Sequence, residues 1–253
     1  MKQKSGNGYT LIELLLAVAM GLLLIAAVYS SIRSAQRSAS AVQGKVASQQ
    51  DVRAALELMS MEIGMASYNP TLTPSANLWV NLAPNGTGDC SISTATGSNS
   101  TWKGIREANA SYITIESDLN GDGIIGSSGQ PNNEVIKYQY VNTGGDEYIT
   151  RCSCCSAGTT SSGVQPLLGA SLASNIPRTV ILINDQLGID VFTYYDGNGN
   201  RITDANLQAN IQNIRRIDIT LAVETQNIDP STGQRRSMIY ANSVMPINQA
   251  ISP

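Results

Sequence analysis

An uninterrupted apolar run near the N-terminus constrains this chain more than any other feature. From Leu14 to Val28 no residue is charged and almost all are apolar. The stretch from Tyr9 to Tyr29 is long enough to cross a hydrocarbon core about 30 Å thick as an α-helix. Lys2 and Lys4 precede it. Cations collect on the cytoplasmic side of such helices, so the N-terminus is expected inside and the rest of the chain outside.

A standard secretory signal ends in a small-residue cleavage site after its apolar core. Here the only obvious processing signal lies before the core, at Gly8-Tyr9 followed by Thr10-Leu11-Ile12-Glu13. Glu13 is conspicuous. A carboxylate in a membrane span costs roughly 2.5 kcal/mol or more unless it is paired. It is either solvated by headgroups or neutralised by a partner charge.

The coupling of a glycine, an aromatic, a single glutamate and an apolar run resembles the type III signal of prepilins. The resemblance implies that a membrane peptidase cuts between Gly8 and Tyr9 and methylates the new N-terminus. It also implies that Glu13, the fifth residue of the mature chain, pairs with the free amine on Tyr9 of a neighbouring subunit.

The helix should continue past the membrane, since no proline occurs before Pro70. Ile32, Ala35, Ala39, Val42, Val46, Val52, Leu56, Met59, Ile63 and Ala66 recur at spacings close to those of a helical stripe. Arg33, Arg37, Lys45, Asp51, Arg53 and Glu57 lie opposite. Gly44 and Gly64 weaken the helix by about 1 kcal/mol each relative to alanine. Tyr9 to Tyr68 as one helix is roughly 90 Å long, and its outer half is expected to pack on the head. The segment Arg53–Tyr68, RAALELMSMEIGMASY, is similar to the end of the long helix in PilW-type minor pilins and in the J pseudopilin of type II secretion.

Beyond Pro70 the texture changes to short strands. Ser111–Glu116 and Glu134–Val141 alternate, and Thr143-Gly-Gly-Asp146 followed by Glu147–Thr150 signals a hairpin. Thr179–Ile183, Gly188–Tyr195, the alternating Ile217, Ile219, Leu221 and Val223, and Ser237–Val244 follow. Thr203–Asn213 reads as a short helix or irregular. The expectation is an α+β type IV pilin fold, with a long N-terminal helix on an antiparallel β-sheet head. Its parts are a leader over 1–8, a transmembrane and assembly helix over 9–29, an amphipathic continuation over 30–68, and an exported head over 69–253.

Asp118-Leu-Asn120-Gly-Asp122-Gly123-Ile124 places oxygen donors at positions one, three and five of a loop, with glycine at six. This is the first half of an EF-hand-type calcium loop. Ile124 would offer its backbone carbonyl. The twelfth position is Gly129, so Glu134 is the candidate closing carboxylate. The alternative is a metal-free turn. Asp118–Asp122 ahead of Asn133-Glu134-Val135-Ile136-Lys137-Tyr138 is also similar to a stretch of the PilW-type proteins. Asp196-Gly-Asn198-Gly-Asn200, with Asp204 downstream, has alternate oxygens too, but its Asx-Gly pairs are strong turn formers.

The chain has 253 residues, 42% hydrophobic and 14% charged, with a net charge of −3. No basic run suits a phosphate backbone, so no nucleic acid is expected as a partner. There is no histidine, which excludes Ser-His-Asp and Cys-His chemistry and His-ligated zinc. No nucleophile–base pair stands out, and an enzyme is not expected. The four cysteines are Cys90, Cys152, Cys154 and Cys155. An exported location favours disulfides over a thiolate metal site. Cys90 is expected to join one of the other three and link the polar loops 85–101 and 153–163.

The resemblance implies a structural minor pilin that helps assemble or initiate a type IV pilus. Its partners would be other pilins through the N-terminal helix, the prepilin peptidase and the inner-membrane assembly platform. It would sit in the bacterial inner membrane as a single-pass precursor, then in the pilus, at the cell surface or in the periplasm. The alternatives are a J-type pseudopilin of a type II secretion system or a pilus-tip adhesin.

Overall fold

The computed structural model describes residues 9–74, 78–79, 103–125, 134–154, 164–169, 180–229 and 232–250. A single helix, α1, runs from Leu11 to Gly64. It stops a turn short of the expected Tyr68, because Ser67 takes a left-handed backbone (φ 65°) and its N–H turns to the Glu116 carbonyl at 2.9 Å. The inner part is bare: Leu11, Leu15, Leu22, Val28, Ile32 and Val42 are all exposed. Burial begins at Ser48 and then follows the stripe through Val52, Leu56, Met59 and Ile63. Among the described residues, only the outer half of the helix is therefore packed on the rest of the chain.

The described strands form two antiparallel sheets rather than the one expected. In the first, β1 (Ile105–Ala108), β2 (Tyr112–Glu116), β3 (Val135–Thr143), β4 (Asp146–Cys154) and β5 (Val164–Leu168) lie side by side in sequence order. The β3–β4 hairpin closes through Gly144 and Gly145, both at positive φ, with Thr143 opposite Asp146. This is the expected hairpin, and glycine supplies the left-handed backbone that its tight turn needs. In the second sheet, β9 (Arg216–Thr225) pairs with β10 (Ser237–Val244) on one side. On the other it pairs with β6 (Val180–Leu182) and β7 (Phe192–Tyr195), and β8 (Arg201–Ile202) adds to β7.

One core joins all three layers. Leu56, Met59 and Ile63 of α1 share it with Ile113, Ile136 and Tyr138 of the first sheet and with Phe192, Ile217 and Leu221 of the second. The opposite face of the first sheet is buried as well. There Val135 and Cys152 form a second apolar cluster with Leu78, Trp79 and Ile125. Burial on both faces explains why β1, whose four residues are all buried, shows no alternation. β5 carries Pro166 and lies at the sheet edge, where a missing N–H is tolerated. Gly188–Tyr195 yields only the short β7. The helical turn Asn184–Leu187 and its left-handed cap Gly188 (φ 63°) hold the chain before it.

Candidate functional site

At the start of α1 the chain builds a capping box. The Glu13 N–H donates to Thr10 Oγ1, and the Thr10 N–H donates to Glu13 Oε2, each at 3.4 Å. Glu13 is thus in the first helical turn, where the helix macrodipole favours negative charge. This local role was not anticipated from the sequence, although Thr10-x-x-Glu13 is its signature. It lowers the cost of carrying the carboxylate into an apolar span. Tyr9 is 88% exposed. Gly8 and the rest of the leader lie outside the described residues. Behind the box, α1 is long and apolar enough to cross a membrane, and none of its most apolar window is buried by the rest of the chain.

The acidic loop follows β2 directly. Asp118 is fully buried, and its backbone N–H bonds the Tyr68 carbonyl at 2.9 Å, tying the loop to the end of α1. Its Oδ1 accepts the Gly121 N–H at 2.8 Å and its Oδ2 the Gly123 N–H at 3.0 Å. Asp122 Oδ1 accepts the Ile124 N–H at 2.9 Å, and Asn120 Oδ1 accepts the Asp122 N–H at 3.0 Å. Gly121 and Gly123 both take positive φ, 74° and 76°. The alternating side chains therefore curl the loop inward. Glu134 is buried, and its carbonyl accepts the Ser117 N–H at 2.9 Å, so it sits across the hairpin from the residue before Asp118. Among the described residues no three acidic or thiol side chains converge as metal ligands. A cation here would need Asn120 and the Ile124 carbonyl beside the carboxylates.

The second Asx-rich segment is the turn between β7 and β8. Asp196 Oδ1 accepts the N–H groups of Asn198 at 2.9 Å and Asn200 at 2.8 Å. The Asn200 backbone and side-chain donors hold its carboxyl below the usual range. Cys152 is buried and disulfide-bonded. Cys90, Cys155 and the side chain of Cys154 lie outside the described residues, so its partner does too.

Two buried charge clusters escaped the sequence reading. Glu62, on the core side of α1, takes a bidentate clamp from Arg151 of β4, with Nη2–Oε1 at 2.6 Å and Nε–Oε2 at 2.9 Å, and a hydrogen bond from the Tyr138 hydroxyl. The clamp raises the pKa of Arg151, while burial and the Glu62 bond raise that of Tyr138. On the far face of the first sheet Arg106 and Glu116 form a buried pair at 3.5 Å, and Lys137 lies 3.7 Å from Glu107. Glu116, the last residue of β2, therefore belongs to a buried ion pair. Desolvation pushes its carboxyl up to about 7 despite Arg106. The available signal was charged residues inside otherwise apolar strands.

Residues 4–29 match the prokaryotic N-terminal methylation motif. Among solved structures, a type IV-like pilin from Thermus thermophilus is similar at 11% identity and a TM-score of 0.38, over 80% of this chain and 98% of that one. No curated protein matches the chain significantly. The chain thus joins a prokaryotic N-terminal methylation motif to an apolar helix whose outer half carries two antiparallel sheets.

Proposed function

We propose that this chain is a structural minor subunit of a type IV pilus, of the PilW kind. After cleavage at Gly8-Tyr9 it inserts its helix among those of other pilins. The observation that carries this reading is the continuity of the methylation motif over residues 4–29 with a helix in which no residue is buried before Ser48. An apolar face of that length needs lipid before assembly and neighbouring helices after it. Glu13 then exchanges the Thr10 N–H for the free amine on Tyr9 of a neighbour, which neutralises both charges in the filament.

The test uses two variants of the full chain in its native cells. Gly8→Arg should keep the leader, read by N-terminal sequencing. Glu13→Ala should be cleaved and inserted yet co-purify poorly with pili. Normal incorporation of Glu13→Ala would remove the pairing model. Cleavage of the Gly8 variant at Tyr9 would remove the processing assignment. Recovery with a secretion pseudopilus rather than with pili would move the chain to the J-type role.

We also propose that the loop holds a structural calcium ion through Asp118, Asn120, Asp122, the Ile124 carbonyl and Glu134. An ionised carboxylate has about four lone-pair sites. The two N–H bonds to Asp118 leave capacity for a hard cation, which would supply positive charge to this buried corner. Cys90 joining one of Cys152, Cys154 and Cys155 remains part of the proposal, with Cys152, at the end of β4, already in a disulfide.

A further inference from the structure

Between the turn joining β7 to β8 and the short 3-10 helix Gln208–Asn213 a cleft of about 360 Å³ opens. That volume is within the roughly 300–1,000 Å³ of ligand pockets. Asp196 and Asn198 line it from the turn, Ile202 from β8, Asn210 and Asn213 from the 3-10 helix, and Arg215 from the approach to β9. The walls are fixed to each other. The Arg215 N–H donates to the Tyr195 carbonyl at 2.8 Å, and the Arg215 stem lies beside Gly197. Arg215 Nη1 donates to the carbonyls of Gln212 at 2.7 Å and Ile214 at 2.9 Å, which holds the guanidinium in place. Asp196 curls the turn by accepting the N–H groups of Asn198 and Asn200.

Several polar groups on this cleft make no bond within the described residues. The Asn198 side chain bonds nothing there, and Nε and Nη2 of Arg215 have no acceptor. Asn213 donates its amide to Asn210 Oδ1 at 3.0 Å, which leaves Asn213 Oδ1 free. Asp196 and Arg215 bring one negative and one positive charge to the same cleft with no ion pair between them. A ligand of strong net charge meets one of them as a like charge, whereas a neutral ligand does not. Free amides and a guanidinium edge set donors beside acceptors. Neighbouring hydroxyls on a sugar ring match that pattern, because each one both donates and accepts. We propose that this cleft binds a neutral hexose or N-acetylhexosamine unit of a glycan. Its ring hydroxyls bond Asn198, Asn213 and Arg215, and its C–H face rests on Ile202.

Sugar binding at this cleft does not depend on pilus assembly, so leader cleavage and pilus co-purification test that reading separately. Saturation-transfer NMR on the full chain, in a detergent without a sugar headgroup, reads the binding of glucose, galactose, mannose, N-acetylglucosamine and lactose directly. The expected result is transfer to the ring protons of at least one of these sugars, with a low-millimolar dissociation constant and no change in chelator or in sodium acetate. Asn198→Ala should weaken that binding at least about fivefold. It should leave the melting temperature where it was, because the side chain has no internal bond to lose. Arg215→Lys keeps the charge but loses the planar fork, and it should weaken binding as well. Silence from all of these sugars overturns the proposal, and so does transfer that either substitution leaves unchanged. Displacement by acetate makes the cleft an anion site, and loss in chelator makes it a cation site. Either result overturns sugar binding there.

Discussion

Glu13 is an acid whose partner is local: its carboxylate completes a capping box with Thr10 at the start of α1. Glu62 and Glu116 are acids of another kind. Glu62 is satisfied by three donor contacts from Arg151 and Tyr138. Glu116 is buried beside Arg106 with its carboxyl raised to about 7 from 4.5. A carboxyl raised on folding contributes stability that is complete below its unfolded pKa and is lost as pH rises through the folded value. Stability should therefore fall between about pH 4.5 and 8 by an amount on the order of a few kcal/mol. Thermal melts of the full chain should show that decline, and Glu116→Gln should flatten it. An unchanged pH profile in the variant would place the titration elsewhere.

At the scale of elements, the chain packs closely at the junction between α1 and the first sheet. A Cβ on Gly104 would overlap the Ser67 backbone nitrogen and the Glu116 carbonyl oxygen, both fixed by hydrogen bonds. Overpacking against backbone typically costs about 1–3 kcal/mol. Gly104→Ala should reach the top of that range in a denaturant titration, whereas alanine at Gly144, with open space around it, should cost only the strain of its positive φ. The acidic loop meets the same junction through Asp118 and Tyr68. An EF-type loop in an extracellular module binds calcium with a dissociation constant of about 0.1–1 mM. At tenfold excess, linkage adds about 1.4 kcal/mol, or roughly 3–6 °C in melting temperature for a head of this size. Asp122→Ala should abolish the calcium-dependent rise. A wild-type chain that melts identically in millimolar calcium and in chelator holds no ion there.

Across the whole molecule, the outer half of α1 is the layer on which both sheets close. Val52, Leu56, Met59 and Ile63 share one buried cluster with residues of both. A chain beginning at Ser30 should therefore unfold in a single transition by circular dichroism. One beginning at Met65 loses those side chains and the Glu62 clamp, and it should not fold. Separate transitions for the two sheets in the longer chain would contradict the shared core.

The sequence by itself determined the N-terminal half of this account. The apolar run behind Gly8-Tyr9 and the stripe from Val52 to Ile63 are local signals, because a helix reads its faces from residues three and four apart. The β3–β4 hairpin and the turn at Asp196 were legible for the same reason: their hydrogen bonds lie within a few residues. Only the tertiary structure decided that the strands divide into two sheets. It alone brought Glu62 to Arg151, 89 residues away, and buried Glu116 against Arg106. Strands covered on both faces lose the alternation that marks one-sided burial. The worth of a buried charge depends on partners that chain spacing does not specify, so the helix was written in the sequence and the arrangement of the head was settled by packing.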